Sequence, residues 1–452
     1  MTHGSRHDFC ALSTLFTDAN SRHIDRISAV YDDIGYLVDE LSRLVSPFLQ
    51  DSSVKGKKVL FKPNWVMHPV SESDTLCLCT NETFLLAAVE TILKKSPHSI
   101  VIGDAPIQLC NWESLLSRDF YESLNVLRTR YRTEISICDF RRTKLDNTSS
   151  KVLSGLQPLD QYVIFDLGSD SFLEDITSAN NKTPFRVTNY NPEVLSRAHR
   201  RGVHRYCITN YLFDADIVIS LPKIKTHQKT GITGALKNLV GLNGDKDFLP
   251  HHRLGGTGFG GDCYPGKNYI RFLSELALDV SNRTSASNLR RTWAYISKVI
   301  WMISFPKKVH SLSAGWYGND TTWRMVMDLN RIAVFGRPNG TLSPTPLRSI
   351  YSLCDGIVAG QGDGPLSPEP LALGFIAFSN DSATTDICFG TLLGFEIDKV
   401  PLLKAAFSTI DFENLELSLN GHKLTISHLK KFAIAARLPV GWLNYRENHA
   451  SR

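Results

Sequence analysis

The densest set of chemically useful side chains lies in one short segment, residues 216–246. It reads Leu-Pro-Lys-x-Lys-Thr-His-x-x-x-Gly-x-Thr-Gly-Ala-Leu-Lys-Asn, so its cations stand among glycines and threonines rather than among helix formers. Lysines attract anions, and glycine-bearing loops and helix N-termini direct backbone amides at a bound oxyanion. The pattern therefore predicts an anion-binding or cofactor-binding loop made by Lys223, Lys225, Thr226, His227, Gly231, Thr233, Gly234, Lys237 and Asn238.

The net charge of the chain is concentrated in the same region. Residues 197–253 contain ten lysines and arginines against four acidic residues, whereas the whole chain has 50 against 45. They also contain five of the 14 histidines. A formal charge of +5 that is this local does not indicate a nucleic-acid-binding protein. It favours a small phosphate- or carboxylate-bearing ligand, with a solvated basic face as the alternative.

Further candidates follow two predicted strands. An apolar run at 59–61 is followed by Lys62 and Asn64, and a second run at 99–103 is followed by Asp104. In open α/β sheets, ligands bind at the carboxyl ends of the strands. We therefore expect Lys62 and Asn64 to contact the ligand and Asp104 to be a candidate metal ligand.

Two adjacent histidines, His251 and His252, precede a glycine-rich stretch at 255–261 that we expect to form a mobile loop or lid. Either imidazole is a candidate metal ligand or acid–base group. Adjacent side chains point in different directions, so at most one of them should serve. The candidate catalytic groups are thus Lys237, His227 and His251.

The second half of the chain adds three aspartates. Asp363 lies among glycines in the stretch 360–365, which predicts a tight loop with close ligand approach. Asp381 and Asp386 precede and open a predicted helix at 385–393. They could bind a divalent cation or cap that helix.

Hydrophobic periodicity predicts the elements that position these groups. Apolar residues at three-to-four spacing over 27–48 indicate an amphipathic helix. The run at 217–221, closed by Pro222, indicates a buried strand. The alternation of strands and helices predicts an α/β fold with an open, mostly parallel sheet flanked by helices, an N-terminal helix, a mid-chain helical insertion and a small C-terminal α+β tail.

The predicted organisation has five segments. They are a mobile leader and amphipathic helix (1–54), an α/β core with the Lys/His/Gly site (55–283), an insertion (284–322), a second part of the core (323–400) and a helix–hairpin–helix tail (401–452). The insertion carries a largely apolar stretch at 293–305, which is too short to span a bilayer. With its tryptophans and basic flanks it could lie on a membrane surface, or it could be a buried or subunit-contact helix.

Composition excludes several classes of protein. Nine scattered cysteines without regular spacing predict no disulfide framework, and with no secretory signal in the first twenty residues we expect a reducing, cytoplasmic location. Cys77-x-Cys79 cannot hold a ferredoxin-type cluster, so no iron–sulfur centre is expected. No dinucleotide-binding glycine fingerprint, P-loop or serine elbow is found.

The 221–241 pattern resembles the hallmark of the domain-of-unknown-function 362 family. The stretches Phe-Lys-Pro-Asn at 61–64, Ile-Gly-Asp-Ala-Pro at 102–106 and Asp-Gly-Ile-Val-Ala-Gly-Gln-Gly-Asp-Gly-Pro at 355–365 agree, as does Asp-x4-Asp at 381–386. The resemblance spans roughly 55–405 and implies a fold more than a reaction. Many such proteins carry a ferredoxin module, which this sequence lacks.

The core is also similar, more distantly, to the N-terminal domain of lactate racemase. There a histidine and a glycine-rich turn lead to a lysine that carries a nickel-pincer nucleotide, and a further histidine helps to hold the metal. The corresponding positions are His227, Gly234, Lys237 and His251 or His252. The glycine pair of that motif is Gly-Ala here.

These observations favour an enzyme acting on a small anionic substrate or a nucleotide-like cofactor, with or without a divalent metal. Proton transfer of the racemase or epimerase type and ligase or phosphoryl chemistry remain open. The alternatives are an accessory protein that carries a metal or cofactor without turnover, and a membrane-surface protein. The sequence does not indicate the oligomeric state.

Overall fold

The computed structural model describes residues 7–17, 21–144, 157–180, 182–304, 314–443 and 445. Within this part of the chain it contains one large sheet and two small ones. The strands are β1 (Asp8–Thr14), β2 (Lys58–Pro63), β3 (Ser99–Asp104), β4 (Glu134–Asp139), β5 (Tyr162–Asp166), β6 (Phe185–Arg186), β7 (His199–Arg200), β8 (Val203–Thr209), β9 (Ile217–Leu221), β10 (Lys223–His227), β11 (Gly231–Thr233), β12 (His252–Arg253), β13 (Ser349–Asp363), β14 (Ser367–Ser379), β15 (Leu415–Leu419) and β16 (His422–Lys423).

The large sheet has the order β16-β15-β1-β14-β13-β9-β2-β3-β4, with β10 pairing β13 and β11 pairing β10. Strands β13, β9, β2, β3 and β4 run parallel, whereas β14 is antiparallel to both β13 and β1. This confirms the prediction of an α/β fold with an open, mostly parallel sheet. The small sheets are β5-β8-β7 and β12-β6.

Helices cover both faces of the large sheet. They are α1 (Ile24–Ser28), α2 (Ile34–Val45), α3 (Asp51–Val54), α4 (Glu72–Cys77), α5 (Glu82–Leu93), α6 (Arg118–Tyr131), α7 (Pro192–Ala198), α8 (Tyr211–Asp214), α9 (Ala235–Asn238), α10 (Tyr269–Arg283), α11 (Ser287–Ile303), α12 (Thr322–Phe335), α13 (Ser382–Leu392), α14 (Pro401–Phe407) and α15 (Ile426–Leu429).

Alternate residues of the central strands enter two separate cores. Val59 and Phe61 of β2 pack in one hydrophobic cluster with α2, α5 and α6, whereas Leu60 packs in the other with α12, α13 and α14. The period of two follows from the pleat, which sends successive side chains to opposite faces. A sheet buried on both sides needs continuous apolar runs, as the sequence has at 59–61 and 217–221.

One stretch, Glu72–Leu93, is long and apolar enough by composition to cross a membrane, with a mean hydropathy of 1.5. In the fold it forms α4 and α5, and 67% of its most apolar window is buried against the rest of the protein. Burial of this kind is typical of a core helix of an α/β fold.

The chain ends depart from the sequence prediction. Residues 8–14, predicted to belong to a mobile leader, form β1, which is antiparallel to β14 and parallel to β15. The prediction of a leader is wrong there, because the apolar run 9–12 fills the sheet between two strands from the other end of the chain. The predicted hairpin at Asn420-Gly421 is present as β15 and β16, with both turn residues in the left-handed region. The division into five segments stays a prediction.

The segment after Pro222 is more regular than predicted. Residues 223–227, expected to be a polar loop, form β10, and 231–233 form β11, so the two strands make a hairpin. Pro222 interrupts the ladder because it has no N–H, but its carbonyl accepts from Asp355 N at 3.0 Å, and pairing to β13 resumes. Likewise, 360–363 is the end of β13 rather than a tight loop.

Candidate functional site

A cavity of about 350 Å³ opens at the carboxyl ends of β2 and β3. Its wall is lined by Asn64, Trp65, Val66, Asp104, Ala105, Pro106, Ile107, Gln108, Leu109, Val187, Thr188, Asn189, Tyr190, His227, Gln228, Lys229, Lys237, Asn238, Val240, Gly241, Lys246, Leu249, His251, Pro365 and Leu366. The volume lies within the range of small-ligand sites, and the position agrees with the rule for open α/β sheets.

Six of the predicted site residues line this cavity. They are Asn64, Asp104, His227, Lys237, Asn238 and His251. The resulting wall combines cations, imidazoles and amides, all from segments that the sequence pattern had singled out.

Three lysines bring positive charge to the wall. Lys246 is buried, and its Nζ donates to the carbonyl of Ala105 at 2.7 Å. Lys229 and Lys237 are partly buried, and neither ammonium has a hydrogen-bond or ion-pair partner within the described residues. A buried ammonium without a partner is costly, so the two side chains are prepared to receive an anion.

Burial in the cavity wall lowers the pKa of all three lysines, Lys229, Lys237 and Lys246. Burial, together with the neighbouring charges of Lys246 and Lys229, lowers the pKa of Lys237 to about 7. Burial also lowers the pKa of Lys229 and of Lys246 to about 8. An anion in the cavity would reverse this effect, because it stabilises the protonated amines. Lys237 can therefore change its protonation state near neutral pH, as a proton carrier must.

The one carboxylate on the cavity wall, Asp104, already has a cationic partner. Its Oδ1 lies 2.8 Å from Lys62 Nζ, and its Oδ2 accepts from Trp65 N at 2.7 Å. Lys62 is fully buried next to the wall, where Nζ also donates to the carbonyl of Pro63 at 2.6 Å. This ion pair is a fixed support, so Asp104 does not form an ion pair with Lys229 or Lys237.

The two imidazoles on the wall are held in opposite tautomers. His227 Nδ1 accepts from the backbone N–H groups of Lys229 (3.0 Å) and Thr230 (3.2 Å), so in the neutral ring Nε2 carries the hydrogen. His251 Nδ1 lies 2.8 Å from the carbonyl of Leu249 and must donate to it, which leaves Nε2 with a lone pair. Burial holds the pKa of both rings well below the usual value. The pair can therefore offer one donor and one acceptor to a ligand.

Three further polar atoms in the wall have no hydrogen-bond partner in the described part of the chain. They are Asn64 Oδ1, Trp65 Nε1 and Thr188 Oγ1. Buried polar atoms are nearly always paired, so unpaired ones gathered at one cavity indicate a missing partner. Asn64 is oriented by Asn238, whose Oδ1 accepts from Asn64 Nδ2 at 3.1 Å.

The turn that presents Lys237 is positioned by a distant aspartate. Asp386, at the N-terminal part of α13, accepts from Ala235 N at 2.5 Å and Leu236 N at 3.2 Å. The prediction that these helix N-terminal amides face the ligand is therefore wrong, because a carboxylate of the chain occupies them. A side chain at Gly234 would lie 2.1 Å from Asp386 Oδ1, which explains the glycine. Asp381 caps α13 through Ala383 N and Thr384 N.

Several predicted ligand contacts lie elsewhere. Lys223 is fully buried in an ion pair with Asp355 at 2.9 Å and also donates to the Tyr31 hydroxyl. Lys225 is buried and donates to the carbonyl of Leu78. Neither side chain lines the cavity, because both are directed to the core beside β13.

The remaining predicted contacts are structural as well. Thr226 Oγ1 donates to the carbonyl of Gly362 at 2.8 Å, and Asp363 accepts from Val440 N at 2.9 Å. Gly231 faces Val400 and Trp442, which leave no room for a side chain. Thr233 is buried, and it lies outside the cavity wall, as do Gly231 and Asp363.

The three predicted metal ligands, Asp104, His251 and His252, do not come together around one possible metal position in the described structure. Asp104 is committed to Lys62, and His251 lines the cavity apart from any group of three metal-binding side chains in the described residues. His252 belongs to a different cluster, with Cys263 and Glu275. The expectation that adjacent histidines point in different directions is confirmed.

Sequence reasoning missed Lys229 and Lys246 as members of the wall. Both lie in the cationic segment, so local charge density could have included them. Val187, Thr188, Asn189 and Tyr190 carry no motif, and only tertiary packing brings them to the cavity.

The comparison with protein families gives one match. Residues 173–390 match the family described as Domain of unknown function (DUF362), so the chain contains a DUF362 domain over these residues. This domain includes the β9–α9 segment with Lys237. No curated protein gives a significant match.

Among solved structures, a crystal structure of a Thermotoga maritima protein is similar at 10% sequence identity and a TM-score of 0.34. The similarity covers 75% of this chain and 53% of that one, so this chain spans about half the length of the relative.

Proposed function

We propose that this protein is an enzyme that binds a small phosphate- or carboxylate-bearing substrate in the cavity and moves a proton through Lys237. The observation that carries the proposal is the pair of partly buried lysines, Lys229 and Lys237, that have no anionic partner within the described residues. The one carboxylate in the wall is already paired with Lys62. An anionic substrate would supply the missing countercharge.

Each part of the wall has a role in this proposal. Lys229 and Lys246 hold the anionic group by charge, and Asn64 and Trp65 orient the rest of the substrate. His227 donates a hydrogen bond from Nε2, and His251 accepts one from a substrate hydroxyl. Lys237, with a pKa near the working pH, accepts or returns the proton at the reacting carbon.

The similarity of the core to the lactate racemase N-terminal domain agrees with a reacting lysine at position 237. The same proposal includes a second version, in which Lys237 carries a covalently attached nucleotide-like cofactor. The intact mass of the purified protein tests it, because a covalent adduct would disappear in Lys237→Met.

Binding is tested by titration calorimetry with inorganic phosphate, pyrophosphate and citrate. We expect Lys237→Met to weaken binding of the best ligand at least tenfold, since a hydrogen bond to a charged group contributes about 1.5–3 kcal/mol. Lys404→Met, on the outer helix α14, is the matched control and should bind as the parent does. Unchanged binding by Lys237→Met would show that the anion does not bind in this cavity.

Catalysis is tested separately by incubating the protein with chiral 2-hydroxy acids and sugar phosphates in D₂O. Deuterium incorporation catalysed by the parent and lost in Lys237→Met would support an enzyme. Stoichiometric binding of the same compounds with no exchange would favour the alternative, an accessory protein that carries its ligand.

A second candidate function, binding to a membrane surface, is favoured by the hairpin of α10 and α11. Its helices pack antiparallel, with Ser274 and Ser297 exchanging hydrogen bonds across the interface. The outward face is apolar and exposes Tyr269, Ile270, Leu273, Leu276, Val280, Leu289, Tyr295, Met302 and Ile303. The stretch 293–305 lies in α11 up to residue 303; residue 305 lies outside the described residues.

The charges of this hairpin match an anionic bilayer. The acidic residues of α10, Glu275 and Asp279, are both buried, and α11 contains no acidic residue. Arg283, Arg291 and Lys298 are exposed. Apolar and basic side chains together favour the surface of a membrane with anionic lipids.

A flotation assay tests this candidate with vesicles of phosphatidylcholine alone or mixed with phosphatidylserine. We expect flotation with the mixed vesicles and its loss in Leu273→Glu/Ile303→Glu. Failure of the parent to float, or flotation of the variant, would contradict it. A dimer that disappears in the variant would assign this face to a second copy instead.

A further inference from the structure

A second group of reactive side chains lies outside the cavity wall. His252, Cys263 and Glu275 are each at most 4% exposed, and one ligand atom from each lies within 4.8 Å of the others. Among the described residues, this is the one group of three or more histidine, cysteine, aspartate or glutamate side chains whose ligand atoms lie this close together. Its nitrogen, sulfur and oxygen donors are the types that zinc sites combine.

The three side chains come from three separate segments. His252 lies in β12, Glu275 in α10, and Cys263 in the loop between them, after the glycine-rich stretch 255–261. The loop turns back so that Cys263 N donates to the carbonyl of Gly255 at 3.0 Å. Gly255 N in turn donates to Glu275 Oε2 at 3.0 Å. The stretch predicted to be a mobile lid thus has a defined path that delivers a cysteine to a buried imidazole and a carboxylate.

The donor atoms are incompletely satisfied. His252 Nδ1 and Glu275 Oε1 are buried without a hydrogen-bond partner in the described part of the chain. His252 Nε2 lies 3.7 Å from Glu275 Oε1, which is longer than a hydrogen bond. The unpaired Oε1 of Glu275 thus faces the imidazole of His252 with no hydrogen bond between them, which indicates a missing partner between the two groups.

Among the described residues, Glu275 forms no ion pair with an arginine or a lysine. Arg186, whose charge interacts with both His252 and Glu275, makes three hydrogen bonds of 2.8–3.1 Å to Asp279. Arg253 approaches Asp262 at 3.8 Å rather than Glu275. Within the described part of the chain, the imidazole of His252 is the one basic group within 4 Å of the Glu275 carboxylate. The ion pairs of the described residues therefore leave Glu275 Oε1 without a lysine or arginine partner.

We propose that His252, Cys263 and Glu275 bind a zinc ion. Metal–ligand bonds of about 2.0–2.3 Å in a tetrahedron separate the ligand atoms by about 3.3–3.7 Å, close to the His252–Glu275 distance. A thiolate and a carboxylate carry two negative charges, which a divalent ion balances in a buried place. The thiolate favours zinc over magnesium or calcium. A water molecule takes the fourth position.

The ion would fasten the glycine-rich loop to β12 and α10 beside the cavity. His251, the neighbour of His252, lies in the cavity wall, so the ion also fixes the position of that imidazole. None of the three ligands lines the cavity. The proposal therefore stands independently of the reaction proposed for Lys237.

The test is metal loading of the full chain. Protein purified with zinc should contain one equivalent, and after removal by chelator the melting temperature should fall by several degrees and recover on addition of zinc. Cobalt added to the metal-free protein should produce thiolate-to-cobalt charge-transfer absorption and the visible bands of a tetrahedral site.

The charge-transfer band should vanish in Cys263→Ser and persist in Cys110→Ser, a second buried cysteine outside the group. If Cys263→Ser does not fold, Glu275→Gln keeps the shape and the thiol, and should bind zinc at least tenfold more weakly. A parent protein that takes up no zinc or cobalt would overturn the proposal. So would an unchanged cobalt spectrum in a folded Cys263→Ser variant.

Discussion

Anion affinity should follow the protonation state of Lys237. Burial, and then the charges of Lys246, Lys229, Lys225 and Lys62, lowers its pKa from 10.5 to about 7. A shift of roughly 3.5 pKa units corresponds to about 5 kcal/mol between the two protonation states. Because the side chain is only partly buried, we expect about half of this to be felt in the free energy of unfolding.

The sign of the stability effect follows from the lowered pKa. Below pH 7 both the folded and the unfolded chain hold the proton, and the folded chain bears the full cost of the buried ammonium. Between pH 7 and pH 10.5 the folded chain has lost the proton while the unfolded chain keeps it, so stability rises by up to about 1.4 kcal/mol per pH unit. Lys237→Met should therefore be more stable than the parent by about 2–3 kcal/mol below pH 7, with the difference vanishing near pH 10.

Binding has the opposite pH dependence, because an anion needs the protonated amine. Sulfate is the suitable probe, since its charge does not change between pH 6 and pH 9. Its affinity should fall by about tenfold per pH unit above pH 7, which is the slope for uptake of one proton. Lys229 and Lys246, with pKa values of about 8, should steepen the fall above that pH. His227 stays neutral throughout this range.

Titration calorimetry in two buffers of different ionisation enthalpy measures this proton uptake directly. At pH 8 the parent should take up close to one proton more per sulfate bound than Lys237→Met does, because Lys237 is then about nine-tenths unprotonated in the free protein. An affinity that is constant from pH 6 to pH 9 would refute the reasoning, as would the same proton uptake in both proteins.

Two further predictions concern the frame of the site. In Gly241→Ala the new Cβ would lie 1.8 Å from Asp104 Oδ1 and 2.7 Å from Lys62 Nζ, so the ion pair must move. We expect the free energy of unfolding to fall by about 3 kcal/mol or more and sulfate binding to weaken. An unchanged melting temperature would contradict this. Lys223→Met should cost about 3–5 kcal/mol because it leaves the buried carboxylate of Asp355 without a countercharge. Lys223→Met/Asp355→Leu should regain most of that loss in chemical denaturation and keep its sulfate affinity. Loss of sulfate binding in the folded double variant would contradict this and show that Lys223 contributes to anion binding.

The sequence predicted which residues gather at the cavity best where the relevant order is local. The apolar run at 217–221 identified a buried strand, and the glycine and lysine spacing after it placed His227 and Lys237 at one cavity. The polar residues after β2 were predicted by the general rule for parallel sheets. In each case neighbours in the chain suffice to fix where the side chain lies.

The prediction failed where partners are distant in the chain. The sequence around Lys223 does not distinguish a lysine that contacts a ligand from one that pairs with an aspartate. Its partner, Asp355, lies 132 residues away in the chain. Asp363 was expected in a glycine loop because glycines permit turns, but these residues extend β13 instead. Strand pairing over such separations is decided by the whole sheet, and short polar runs carry no signal for it.

The distribution of acidic residues explains why the cavity remains cationic. Asp104 reaches the wall and neutralises Lys62, a fully buried support, while Asp386 reaches the Lys237 turn and is held by two backbone amides. Each carboxylate is therefore bound to the frame and is unable to turn toward the cavity. Lys229 and Lys237 are left as the charges that an external anion can balance, and a chain under selection for stability alone would gain by replacing them. Their position beside a cavity of ligand size is the observation on which the proposed anion site depends.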